Sequence, residues 1–319
     1  MRAWLLALAL LAPPAHSQAD WPKRDVHVFV GFSAGGTTDI IARLVANELG
    51  KAWGQPIVIE NRAGATGNIA AGLVAKSKPD GYALLMGSVG PLAINASLFK
   101  SMPYDNLRDL APVTLVAHVP NMLVVNPRSL PVFSFQQFIS AVKAHPGKYF
   151  FASTGSGTSS HLCGELLKMQ AGLDMTHVPY KGAVALNDLL GGESVHLMFA
   201  TIPSVISHVK SGKLRALAVT SLKRSASVPE LPTVAESGYP GFDASSWFGL
   251  VGPAGLAAEI RNKIADEVRR ALAQAELREK FLQQGADPVG STPEEFADYM
   301  RAETAKWAQL VRAVGARVD

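Results

Sequence analysis

The chain has 319 residues, 48% hydrophobic and 18% charged, with a formal net charge of +4. Such a composition describes a globular protein with sizeable cores, in one large domain or two medium ones. It argues against a nucleic-acid binder, since no Lys/Arg run with interleaved aromatics occurs. No internal apolar run reaches the length of a membrane span.

In chain order, Arg2 precedes an apolar run over residues 3–12, which Pro13 and Pro14 end. Small residues at Ala15, Ser17 and Ala19 offer cleavage sites, so residues 1–19 are expected to be a secretory signal peptide. The mature chain is then expected in the periplasm, starting near Gln18 or Asp20. Loss of Arg2 lowers the net charge from +4 to +3, a mildly basic balance suited to a small anionic ligand. Cys163 is the only cysteine, so no internal disulfide forms, and its expected place is a buried apolar one.

Val26, Val28 and Val30 alternate with His27 and Phe29, as in a strand. A small-residue loop follows over 31–36. From Thr38 the apolar positions Ile40, Ile41, Leu44 and Val45 take helical spacing. Thr37 or Thr38 is expected to N-cap this helix, with Asp39 in its first turn. A strand, a glycine loop and a helix start aim free N–H groups and the positive helix end at one point. That is an anion cradle, although a tight β–α turn without a ligand has the same pattern.

A strand at 56–60, a helix at 69–76, a turn at 79–81 and a strand at 82–86 come next, and Gly87 and Ser88 open another loop. This rhythm predicts a mainly parallel, doubly wound α/β sheet. Glu60 ends its strand as in a dinucleotide-binding unit, but Gly31, Gly35 and Gly36 do not make G-x-G-x-x-G. Strands near 115–125 and 247–251, each closed by a proline, mark two expected crossings between lobes with a ligand cleft between them. The expected division is 20–120 for the first part of lobe 1, 121–240 for lobe 2 and 241–319 for the return to lobe 1.

Between the crossings the opening design repeats. A strand at 149–152 leads into a hydroxyl- and glycine-rich loop over 153–160, and a helix begins at His161. A loop at 178–182 and a helix through Leu190 follow. A strand at 195–199 then has Ala200 and Thr201 at its C-terminal end, and another runs over 214–219. Ile260, Ile264, Val268 and Leu272 mark a helix face. Thr292, Pro293 and Glu295 give the last helix an N-cap, an N1 proline and a capping-box acid.

The sequence lacks G-x-S-x-G, H-E-x-x-H, a zinc-type cysteine pair and a P-loop. Ser207, His208, Val209 and Lys210 fit S-x-x-K with no partner motif. His161 and Cys163, two apart on a helix, face different ways. No catalytic residue, cofactor or metal is expected. Lys181 reads equally as a ligand cation or a solvated loop lysine.

Several motifs in order carry a resemblance. They are G-F-S-A-G-G-T-T-D over 31–39, E-N-R-A-G-A-T-G over 60–67, P-D-G-Y over 79–82 and T-G-S-G-T over 154–158. V-P-Y-K-G over 178–182, L-R-A-L-A-V over 214–219 and L-P-T-V-A-E-S-G over 231–238 complete the set. The chain resembles the periplasmic solute-binding proteins of tripartite tricarboxylate transporters, the Bug-type receptors. The resemblance implies a two-lobed Venus-flytrap fold that captures a small carboxylate and presents it to the membrane subunits of a transporter. It implies a first cradle of Phe32, Ser33, Ala34, Gly35, Gly36, Thr37, Thr38 and Asp39; Ser88, which opens the loop after the 82–86 strand, is a further candidate. It implies a second of Ser153, Thr154, Gly155, Ser156, Gly157 and Thr158, with Tyr180 and Lys181 alongside; His161, at its helix start, is expected at the cleft rim. Members often have Asp where this chain has His196, and again where it has Ala200. Ala200 is expected at the cleft, leaving apolar room for an aromatic acid beside dicarboxylates and hydroxy acids. A monomer that is not an enzyme and binds no nucleic acid is expected. An extracytoplasmic sensor and a secreted hydrolase are the competing readings.

Overall fold

The computed structural model describes residues 21–182 and 184–318. The expected signal peptide lies outside them. The first lobe opens with β1 (Val26–Val30), α1 (Thr37–Trp53), β2 (Ile57–Asn61), α2 (Asn68–Ala75), β3 (Ala83–Ser88), a short α3 (Asn95–Leu98) and β4 (Leu110–Val119). The chain then crosses at Pro120 into β5 (Asn121–Val125). It continues through α4 (Phe135–Ala144), β6 (Tyr149–Ser153), α5 (Ser159–Ala171), β7 (Met175–Pro179), α6 (Val184–Gly191), β8 (Leu197–Thr201), α7 (Ile202–Lys210) and β9 (Arg215–Val219). It returns through β10 (Ser246–Pro253), α8 (Ala258–Ala273), α9 (Ala275–Gln283), β11 (Asp287–Pro288) and α10 (Pro293–Ala313).

Among the described residues the strands form two sheets, ordered β11-β4-β10-β3-β1-β2 and β7-β6-β8-β5-β9. β1 is parallel to β2 and β3, and β6 to β7 and β8. Each sheet therefore has a parallel part and an antiparallel part, and β11 runs antiparallel to β4. β5 and β10, the strands that enter a lobe from its neighbour, run antiparallel to both of their partners. They start at the interlobe face, where β1, β3, β6 and β8 end. Both sheets thus deliver strand ends, and the loops that follow, to one plane between the lobes.

The core follows the apolar periodicity. Val26, Val28, Val30, Ile41, Val45 and Leu49 pack with Ile264, Val268 and Leu272 of α8. α10 inserts Phe296, Met300, Trp307 and Val311 into the largest cluster. Its capping box is formed: Thr292 Oγ1 accepts the Glu295 N–H at 3.2 Å, and Glu295 Oε2 accepts the Thr292 N–H at 2.9 Å.

The crossings are tied together by buried polar groups. Asn121 Nδ2 and Cys163 Sγ each donate to the Ala244 carbonyl at 2.9 Å, and the Asn121 N–H donates to Thr220 Oγ1 at 3.1 Å. Cys163 is fully buried, and burial pushes its thiol pKa up.

Candidate ligand-binding site

The first loop is shaped by close approach. A Cβ on Gly31 would lie 2.6 Å from Gly67 Cα, and Gly35 sits at φ +80°, a conformation that favours glycine. The N-cap of α1 is Gly36 in extended backbone, with no side-chain cap. The expected threonine cap is thus corrected: Thr37 and Thr38 are already inside the first turn. Thr37 Oγ1 is instead engaged across the cleft, 2.6 Å from Thr201 Oγ1. An uncapped helix start leaves its first N–H groups available to an anion.

Asp39 does not line the cleft. Its buried carboxylate accepts from the Gly35 N–H (2.9 Å), Arg43 Nε (2.9 Å) and Asn61 Nδ2 (3.0 Å). Asn61 Nδ2 also donates to the Phe32 carbonyl at 3.0 Å. Burial alone would raise the Asp39 pKa, but the hydrogen bonds from Arg43, Gly35 and Asn61, with the Arg43 charge, hold it below the ordinary value. Asp39 holds the loop through these bonds and lies outside the cavity lining. Ala34 and Gly35 lie exposed, outside the cavity.

The second loop is held by two imidazoles. The Gly157 N–H donates to His161 Nδ1 at 3.0 Å, so the ring proton of neutral His161 sits on Nε2. His161 stacks on His177 with centroids 3.9 Å apart, and His177 Nε2 lies 2.6 Å from Ser153 Oγ. Burial, then the Lys168 charge, lowers the His161 pKa to about 4. Burial, then His161 and Lys168, lowers that of His177 to about 3. His161 is therefore a buried support for the loop, not a rim residue. Ser153 is buried behind the loop as well, and a Cβ on Gly157 would strike Leu98 of the other lobe at 1.8 Å. Thr158 caps α5, accepting the His161 N–H at 3.4 Å.

The two loops face each other across a cavity of about 80 Å³. From the expected set, Phe32, Ser33, Gly36, Thr37, Thr38 and Ser88 line it from the first lobe, and Thr154 and Thr158 from the second. Further residues lie outside that set: Val89, Gly90, Ser246 and Phe248 on the first lobe's side, and Ser159, Gly182, Thr201 and Ser204 on the second. Among the described residues no charged side chain lines this cavity.

Ala200 is a correction. It packs in the second lobe's core with Met122, Val124 and Ala152, and is 1% exposed. Side chains alternate along β8, so Thr201 faces the cleft and Ala200 turns away. The apolar room expected for an aromatic acid is absent at that position. His196 also lies off the cavity, accepting the Phe150 N–H at 3.1 Å.

Outside the cavity is a wider mouth of about 530 Å³, which shares Phe32, Ser33, Thr154 and Gly182 with it. Gly155, Ser156, Tyr180 and Lys181 line this mouth. Burial, then Asp188, pushes the Tyr180 phenol up to about 12, so it stays protonated. Thr66, at φ +54°, donates through Oγ1 to the Ser156 carbonyl at 3.1 Å, a second bond between lobes. The lobes are therefore in contact around the cavity.

Residues 41–316 match the tripartite tricarboxylate transporter family receptor. The chain belongs to that receptor family. BugT of Bordetella pertussis is 41% identical over 315 residues, 98% of this chain and 96% of BugT. The R. palustris protein Rpa4515, solved with adipate, superposes with a TM-score of 0.91 at 39% identity, covering 94% of this receptor and all of Rpa4515. MatC from Rhodopseudomonas palustris, solved with bound malate, has a TM-score of 0.84 at 34% identity, covering 91% of this receptor and all of MatC. The two-lobed fold of this receptor is thus that of periplasmic binding proteins, and its family places it in the periplasm.

Proposed function

We propose that this receptor captures a small organic carboxylate between its lobes and hands it to the membrane subunits of a tripartite transporter, with no chemistry on the ligand. The observation that carries this reading is the cavity itself. It has no charged side chain among the described residues, yet it is lined by hydroxyls from both lobes and by the uncapped start of α1. Such a lining stabilises an anion through helix-end dipoles, roughly 0.3–2 kcal/mol each, and charge-assisted hydrogen bonds, roughly 1.5–3 kcal/mol each. A handful reaches the roughly 8 kcal/mol of micromolar binding. The relatives solved with adipate and malate support the same ligand class. The Cys–His pair of the competing hydrolase reading is occupied: His161 accepts the Gly157 N–H, and Cys163 donates to the Ala244 carbonyl.

In this reading the receptor is a monomer exported through residues 1–19. Segments 20–120 and 241–319 build one lobe and 121–240 the other. Calorimetry of the mature protein against an organic-acid panel tests the function. Micromolar binding of at least one carboxylate is expected, and no binding at millimolar concentration by any acid would refute it.

A further inference from the structure

The turn between β2 and α2 carries backbone strain. Ala65 and Thr66 sit at φ +45° and +54°, and among the described residues they are the only non-glycine residues in the left-handed region. For a β-branched residue such as threonine that region is an outlier, and such strain persists only where the surroundings over-determine it. Glycine already serves the same turn on either side, at Gly64 (φ +141°) and Gly67 (φ +92°). A glycine at position 66 would make the turn without strain. What threonine adds is a hydroxyl.

The surroundings hold the Thr66 backbone from the first lobe. Its carbonyl accepts from Asn95 Nδ2 at 3.2 Å, and the same nitrogen donates to Asn68 Oδ1 at 2.7 Å. The Tyr104 hydroxyl lies 2.9 Å from Asn68 Oδ1 and 2.7 Å from the Pro91 carbonyl. Asn95, Asn68 and Tyr104 are all buried. A buried polar network of this kind fixes one arrangement, because leaving any of its groups unpaired is costly.

The side chain reaches the other way. Thr66 Oγ1 donates to the Ser156 carbonyl of the second lobe, and that is the only hydrogen bond the hydroxyl makes among the described residues. Thr66 lines the mouth and not the inner cavity, whereas the Thr37–Thr201 bond lies on the cavity wall. The strained turn therefore spends its hydroxyl on the opposite lobe, at the outer side of the cleft.

We propose that Thr66 is an interlobe latch: its turn, held strained by Asn95, Asn68 and Tyr104, presents the hydroxyl to the Ser156 carbonyl when the lobes close, and so sets how long the closed form persists. The effect on a captured ligand rests on the carboxylate-capture reading above; the latch itself rests on the fold. Pulsed electron paramagnetic resonance tests it, with spin labels on Leu107→Cys and Met169→Cys, exposed positions in the first and second lobes. Cys163 is buried and stays unlabelled. The closed-to-open ratio of the mature receptor is read with and without malate or adipate as probe acids. Thr66→Ala and Thr66→Gly should each lower that ratio about fivefold, and Thr66→Ser should stay within about twofold of wild type. Thr66→Gly also relieves the positive φ, so it should melt no lower than Thr66→Ala while staying as open. Dissociation of whichever probe acid binds should quicken about fivefold in the Ala and Gly variants, with association within about twofold. A ratio that Thr66→Ala leaves unchanged in both conditions, or that Thr66→Gly restores, would overturn the latch. So would a Thr66→Ser protein as open as Thr66→Ala. The label distances need no ligand, so they decide the latch even where neither acid binds, and a failed latch leaves carboxylate capture standing.

Discussion

Acid should loosen the second loop through His161. Its imidazole is 8% exposed and accepts the Gly157 N–H through Nδ1, a bond that only the neutral ring can make. Burial and the Lys168 charge lower its folded pKa from 6.5 to about 4. The unfolded chain therefore binds more protons than the native one between those values. Stability is fully present above pH 6.5 and is lost as pH falls towards 4. At pH 5 the unfolded imidazole lies about one and a half units below its pKa while the folded one remains mostly neutral. At about 1.36 kcal/mol per unit, His161 alone removes about 2 kcal/mol of stability by that pH. Other buried histidines add to the slope, His177 among them, so a variant must isolate the effect. His161→Asn places an amide oxygen near the position of Nδ1 and cannot titrate. Urea unfolding at pH 7.5 and pH 5 should show the variant losing about 2 kcal/mol less than wild type over that interval, with matching m-values. Parallel losses in the two proteins would show that His161 is not held neutral by its burial.

The remaining predictions concern the loops. Asp39→Asn keeps the shape but removes the charge facing Arg43 and the Gly35 N–H, and should cost about 1–3 kcal/mol in urea unfolding and weaken ligand binding. An unchanged stability would show that the buried carboxylate does not hold the loop. Gly36→Val places its Cβ 3.3 Å from the Ser33 carbonyl at the cavity wall, so calorimetry should show lost binding with near wild-type melting. Gly157→Val, in contrast, combines φ +79° with a clash against Leu98 across the interlobe contact, and should lower the melting temperature first. A Gly157→Val protein that melts like wild type but fails to bind would return Gly157 to direct ligand contact.

What could be read in advance was local. Alternating valines, a glycine loop and a switch to helical spacing were enough for β1 and α1, and the same pattern was enough for β6 and α5. The last helix announced its own capping box. Asp39 was placed correctly in the first turn, but its three partners include Asn61 on β2, 22 residues away, and only the folded loop reveals them.

The errors cluster where partners are distant in sequence. Thr37 looked like a helix cap because a threonine before a helical period is usually one. Its true partner, Thr201, is 164 residues away in the other lobe. That bond leaves Gly36 at the N-cap and so keeps the helix start open to the cavity. Choosing between Ala200 and Thr201 needed the phase of one strand, since a one-residue slip exchanges its two faces. The observed register opposes Thr201 to Asn121, at the crossing, and sends Ala200 into the core beside Met122. Ser246 had no motif at all, because only the antiparallel return strand β10 brings it to the cavity wall, diagonal to Ser88. The two β–α loops were legible because each is made by neighbours in the chain, while the cavity wall between them needs the return strand β10 and the Thr37–Thr201 contact between lobes.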